Sequence, residues 1–216
     1  MKQRAQELNK MRRQICDVGR YLYNKSYISG TGGNISVRLA NGTFFITPSK
    51  CNKGFLTPKD IAVMDADGND LTKGLTASSE KLVHLHLYKN LPNVGAVIHA
   101  HPPAATAHAM AGQDIDCTCA PETMVFLGDR VPYIPYETPS TQALPDAFNQ
   151  YLDKKIRAYL MGNHGVAVVG KDLQDAYNNI ETLELYARTL IYARIIGGAK
   201  PISPEKVKHL KETFGL

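Results

Sequence analysis

The sequence predicts an α/β fold, with a mixed or antiparallel central sheet and helices on both faces. Short apolar runs of strand length alternate with stretches whose apolar residues recur at three- and four-residue spacing. Asn41-Gly42, between two apolar runs, is a hairpin signal and argues against an all-parallel sheet. The glycine-rich run Gly30-Thr31-Gly32-Gly33-Asn34 follows a helical pattern and precedes a strand pattern. A dinucleotide fingerprint needs the opposite order, so a Rossmann fold is excluded.

The elements follow in order. Residues 4–26 read as a helix, because Leu8, Met11, Ile15, Val18 and Leu22 share one face. The glycine run ends it. Strands are expected at 35–39 and 43–47. Thr57-Pro58 starts a helical turn, with proline at its first position. A strand at 61–65 and a turn at Asp67-Gly68-Asn69 come next. A helix over 80–90 is announced by Ser78-Ser79-Glu80. The run 94–99 is a buried strand, stopped by Pro102 and Pro103. A helix over 103–111, a strand at 115–118 and a helix over 122–127 come after it. A proline-limited edge strand at 131–135 leads to a helix over 144–152. Strands at 158–161 and 166–169 flank Gly162-Asn163-His164-Gly165. A long helix over 172–196, capped by Asp172, stops at Gly197-Gly198. A short helix over 204–212 lies in the tail 199–216.

The 216 residues suit a single domain, 1–216, with that short tail. The formal charge of +5 is spread along the chain, and no basic run is interleaved with aromatics. Nucleic acid is therefore not an expected partner, whereas an anionic small substrate suits the surplus. No signal core and no apolar run of membrane-spanning length is seen, so a soluble, cytoplasmic protein without membrane contact is expected. The four cysteines lack zinc-knuckle spacing and read as free thiols.

Chemistry centres on Val97-Ile98-His99-Ala100-His101-Pro102. His-x-His on a strand places both imidazoles on one side, about 6.6 Å apart at Cα. His164, flanked by glycines, is the best third ligand; three imidazoles with an open position are a catalytic zinc pattern. The competing reading is a pair of satisfied histidines at the edge of the core. His84 and His86 repeat the spacing on a helix, where they diverge and cannot share an ion. His108 is expected on a helix surface and His209 in solvent. Glu80 opens a helix, where capping is the plainer role and proton transfer the functional one. Ser78 or Ser79 is the expected cap. Gly33 and Asn34, Thr47 and Ser49, and Ser78 and Ser79 form three donor clusters suited to a phosphate monoester. Lys50 and Lys81 read as surface residues.

Gly32-Gly33-Asn34-Ile35-Ser36, Ile46-Thr47-Pro48-Ser49, Ser78-Ser79-Glu80, His99-Ala100-His101 and Asn163-His164-Gly165 occur in that order. Together they resemble the class II aldolase family over about residues 8–198. The resemblance implies a three-layer α/β/α fold with a mostly antiparallel sheet, and a homotetramer with sites at subunit interfaces. It implies Zn²⁺ on His99, His101 and His164, replaceable by Mn²⁺ or Co²⁺, and Glu80 as catalytic acid/base. The substrate phosphate falls to Gly33, Asn34, Ser49, Ser78 and Ser79, with Thr47 as an addition. The implied reaction is cleavage of a ketose 1-phosphate, such as fuculose 1-phosphate or a deoxypentulose 1-phosphate, to dihydroxyacetone phosphate and an aldehyde.

Departures from the family pattern bear on the substrate. Family epimerases usually carry aspartate where this chain has Glu80. Cys119-Ala120-Pro121-Glu122 lacks the tyrosine of fuculose-phosphate aldolases, which leaves Glu122 as a possible substrate contact. No tyrosine follows Tyr192. The alternatives are methylthioribulose-1-phosphate dehydration, 4-epimerisation or decarboxylation of a sugar phosphate, and a non-enzymatic binding module.

Overall fold

A computed structural model describes residues 2–215; positions 1 and 216 of the expected domain lie outside the described residues. The chain runs α1 (Lys2–Asn24), β1 (Asn34–Arg38), β2 (Phe44–Ile46), β3 (Ala62–Met64), α2 (Lys81–Asn90), β4 (Ala96–Ala100), α3 (Pro103–Met110) and β5 (Ile115–Asp116). It continues through α4 (Pro121–Leu127), β6 (Arg130–Val131), β7 (Tyr133–Ile134), α5 (Ala143–Ala147), β8 (Ala158–Met161), β9 (Gly165–Gly170), α6 (Leu173–Ile195) and α7 (Pro204–Phe214).

Seven strands form one sheet in the order β3-β2-β1-β4-β9-β8-β7. Among the described residues, only β7 and β8 pair in parallel; the other neighbours are antiparallel. Helices cover both faces, as strand alternation requires. Ile35, Val37, Ile98, Val166 and Val168 share one apolar cluster with Ile15 and Leu22 of α1 and Ile180 and Leu183 of α6. Ile46, Val97, Ala167 and Val169 point the other way, into a cluster with Val83 and Leu87 of α2 and Leu144 of α5. This is an α/β fold with a mixed, mostly antiparallel central sheet between helices.

Four expectations need correction. The run 115–118 yields only two residues of strand, then a 3₁₀ turn at Cys117–Cys119; it pairs with β6 outside the main sheet. The edge strand 131–135 splits at Pro132, which has no N–H for a ladder, and β7 forms the sheet edge. The helix over 144–152 stops after Ala147. Three-residue turns, Phe148 N–H to Pro145 O and Tyr151 N–H to Phe148 O, replace it and keep Phe148 buried against Tyr159. His108 is buried, not on the surface. Its face of α3 carries Ala104, Ala105 and Ala109, so α3 packs closely on α6 and encloses the ring.

The start of α3 matters for the site, because it lies directly beyond His101. Its first N–H groups have no partner within the helix. Glu184 of α6, 1% exposed, supplies one. Its carboxylate accepts Ala104 N–H at 2.9 and 3.1 Å and Ala105 N–H at 3.0 Å, while Arg188 reaches it at 3.2 Å.

Candidate active site

Strand register brings the three histidines together. His99 is the second-last residue of β4, between Asn34 of β1 and Ala167 of β9. Residues 162–164 join β8 to β9, whose last pair is Met161 with Gly165. Asn163 adopts φ 51°, a left-handed conformation asparagine tolerates, and His164 N–H returns to Met161 O at 3.1 Å. The turn carries His164 over the strand end. Ring centroids lie 4.8 Å apart for His99 and His101, 4.7 Å for His99 and His164, and 5.5 Å for His101 and His164. One ligand atom of each lies within 4.8 Å of the other two. Gly165 leaves room for this. A Cβ there would stand 2.5 Å from His101 Cδ2 and 2.6 Å from Ala100 O.

The protonation states suit a cation. Nδ1–H of His99 donates to Val166 O at 2.9 Å, so in the neutral ring the lone pair is on Nε2. That Nε2 is buried and makes no hydrogen bond, although Glu80 Oε2 lies 3.1 Å away. Burial pushes His99 down to about 3, against the opposing charge of Glu80. Burial, with His164 adding to it, also lowers His101. Buried neutral imidazoles with a free lone pair are the form that binds a divalent metal. The cluster can therefore chelate such an ion.

Glu80 is the N-cap residue of α2, but its side chain makes no capping bond. The plainer expectation for it is thus overturned. Ser78 Oγ instead accepts Glu80 N–H at 3.4 Å, and the carboxylate turns to the imidazoles, 3.1 Å from His99 Nε2 and 3.4 Å from His164 Nε2. Burial raises its pKa, but a hydrogen bond from His164 and the charges that His99, His164 and His84 carry when protonated outweigh burial and hold it at about 2.

A cavity of about 310 Å³ opens beside this cluster, its lining including Gly33, Asn34, Ser49, Ser78, Ser79, Glu80 and His101. Ser49 Oγ donates to Ala77 O at 2.9 Å, which ties two of the donor clusters together. Two of the expected site residues do not line this cavity. Thr47 is fully buried; its Oγ1 accepts Ile35 N–H at 3.1 Å and its carbonyl accepts Ser78 N–H at 3.2 Å. It therefore braces the serines rather than lining the cavity. Glu122 is exposed in the first turn of α4 and lines a separate cavity with Cys119 and Tyr186, because α4 packs against α6.

Sequence reasoning missed His84. It is fully buried, with Ser36 Oγ 2.6 Å from Nδ1 and Asn34 Oδ1 bonded to Nε2. Ser36 also meets Tyr88 OH at 2.8 Å. Asn34 is thus anchored from behind the cavity. The available signal was a polar residue in the apolar stripe Val83, Leu87, Tyr88; Glu184 gives the same signal between Ile180 and Ala187.

Comparison with known proteins agrees with this geometry. The chain is 34% identical over 177 residues to L-fuculose phosphate aldolase of Methanocaldococcus jannaschii, covering 82% of this chain and 93% of that protein. It is 33% identical over 195 residues to 3-oxo-tetronate 4-phosphate decarboxylase of Escherichia coli K12, covering 89% of each. The solved structure of L-fuculose-1-phosphate aldolase from Thermus thermophilus superposes with a TM-score of 0.74 at 31% identity, over 89% of this chain and 98% of that one. These relatives divide between aldolases and a decarboxylase. Residues 13–191 match the family described as Class II Aldolase and Adducin N-terminal domain, and the chain belongs to that family.

Proposed function

We propose that the protein is a cytoplasmic, metal-dependent aldolase that cleaves a ketose 1-phosphate to dihydroxyacetone phosphate and an aldehyde. One observation carries the reading: the Glu80 carboxylate lies within 3.1 and 3.4 Å of two members of the three-imidazole cluster, at the edge of a donor-lined cavity. His99, His101 and His164 would hold the ion, Zn²⁺ by preference, with Mn²⁺ or Co²⁺ able to replace it. When bound, such an ion supplies Lewis acidity to the substrate carbonyl.

The chain's own groups do the rest. Glu80 exchanges the proton at C3 of the three-carbon product. The hydroxyls of Ser49, Ser78 and Ser79 and the backbone at Gly33 and Asn34 hold the phosphate and so orient the carbon chain. Glu122 has no part in the protomer's own mechanism. The working assembly is a homotetramer with sites at its interfaces. The exposed apolar residues Leu185, Tyr192, Ile195 and Ile196 of α6 and its end support a covered surface there.

The decarboxylase relative favours a second reading, loss of CO₂ from a phosphorylated 3-oxo acid on the same residues. Incubation of zinc-loaded protein with a panel of ketose 1-phosphates, and separately with 3-oxo-tetronate 4-phosphate, distinguishes them. Dihydroxyacetone phosphate from the first arm supports the aldolase; CO₂ from the second alone moves the assignment to decarboxylation. Failure of the protein to take up any divalent metal would favour a binding module.

A further inference from the structure

Lys53 is buried at the phosphate cavity without an anionic partner. It opens a 3₁₀ turn, Lys53–Phe55, capped by Asn52, whose Oδ1 accepts Gly54 N–H at 2.9 Å. The turn is pressed onto α1. A Cβ on Gly19 would stand 2.5 Å from Lys53 O, and one on Gly54 would stand 2.6 Å from the Tyr23 ring. The Lys53 side chain therefore runs inward, beneath the glycine-rich loop, and the residue is 2% exposed. Its ammonium donates to Thr31 O at 2.5 Å.

An ammonium has three N–H donors. Among the described residues, Thr31 O is its only hydrogen-bond acceptor, and no carboxylate lies within ion-pair distance. Burial lowers its pKa, with the charges of Cys51 and Glu80 opposing. A buried cation with unused donors is costly unless an anion completes it. Lys53 lines the same cavity as Ser49, Ser78 and Ser79. The exposed Lys50, the other lysine lining that cavity, adds positive charge from a left-handed φ of 59°.

We propose that Lys53 is a specificity residue of this site, pairing its free N–H groups with the phosphate monoester of the substrate. This rests on the reading of the cavity as the phosphate site. Lysine acts there as a point charge, adding to the neutral donors around it. The ammonium stays tethered to Thr31, so phosphate binding also holds the glycine-rich loop beside His101. A purely structural Lys53 would serve the Thr31 tether alone.

The test uses inorganic phosphate as the probe, titrated calorimetrically into the full chain and its Lys53→Gln and Lys53→Arg variants. The glutamine substitution removes the charge; the arginine substitution keeps it. Phosphate affinity should fall about 10- to 100-fold in Lys53→Gln, the loss of one charge-assisted contact, and be largely restored in Lys53→Arg. In parallel, phosphate should shift one slowly exchanging lysine Nζ resonance of the wild-type protein, which needs no variant to fold. Equal phosphate affinity in wild type and Lys53→Gln, or no Nζ shift at saturation, overturns the assignment of Lys53 and leaves the proposed function standing. No phosphate binding by the wild type overturns the phosphate site itself.

Discussion

Glu184 holds the segment that follows a metal-ligand candidate, and its removal should be felt at both the fold and the site. In Glu184→Ala, Ala104 N–H and Ala105 N–H lose their acceptor in a region where the carboxylate is 1% exposed. Each stranded buried donor costs about 1–3 kcal/mol. Arg188, half exposed, is solvated after the change and adds little. The expected loss is about 2–6 kcal/mol, the cost of two such donors together. Glu184→Gln keeps one acceptor oxygen and should lose about half as much. Urea unfolding reads the stability. Cobalt titration, followed by the visible ligand-field band, reads the site, since α3 begins two residues after His101. Affinity should fall about tenfold, as for other groups that orient a ligand from behind. A loss below about 1 kcal/mol in Glu184→Ala would show that the start of α3 does not depend on this carboxylate. Unchanged cobalt affinity would separate the helix cap from the site.

Other outcomes follow from the same geometry. His99→Ala should lose bound metal and activity with the fold intact; elemental analysis finding full zinc occupancy would refute the ligand assignment. Glu80→Gln should keep the metal yet stop tritium exchange at C3 of dihydroxyacetone phosphate, and undiminished exchange would remove Glu80 from its role. Gly165→Ala should weaken metal binding, because the new methyl group meets the His101 ring at 2.5 Å; an unchanged cobalt spectrum would contradict this. His84 is pushed down to about 4 by burial, with Glu80 opposing. The unfolded chain, with histidine near 6.5, binds the extra proton first, so His84 favours folding fully above about pH 6.5 and loses that contribution as pH falls toward 4. The shift corresponds to about 3 kcal/mol. His99 titrates in the same direction, so the measurement is the difference in urea midpoint between wild type and His84→Asn from pH 7 to 4.5. Parallel pH curves would refute it.

Much of the architecture was legible because it is local. The three-four spacing of Ile15, Val18 and Leu22, the Asn41-Gly42 turn and the Asp172 cap each act within a few residues, and the structure contains the elements they announce. The expectations that failed were those where a partner distant in sequence decides. Residues 144–152 have helical periodicity, yet Phe148 is drawn to Tyr159 and the helix ends early. His108 sits on a short helix that looked exposed until close packing on α6 enclosed it.

The candidate site divides in the same way. Strand alternation alone places His99 and His101 on one side, because the backbone repeats every two residues whatever surrounds it. The chain by itself also determined which residues carry the family's signature. Only the tertiary structure decided that Glu80 turns from its helix start to the imidazoles, that Thr47 braces rather than binds, that Glu122 lines a different cavity, and that Lys53, His84 and Glu184 support the site from within. The physical reason is register. The pairing of β4 with β9, and of both with their neighbours, sets which side chains from distant parts of the chain share a few ångströms, and local spacing carries no record of that pairing.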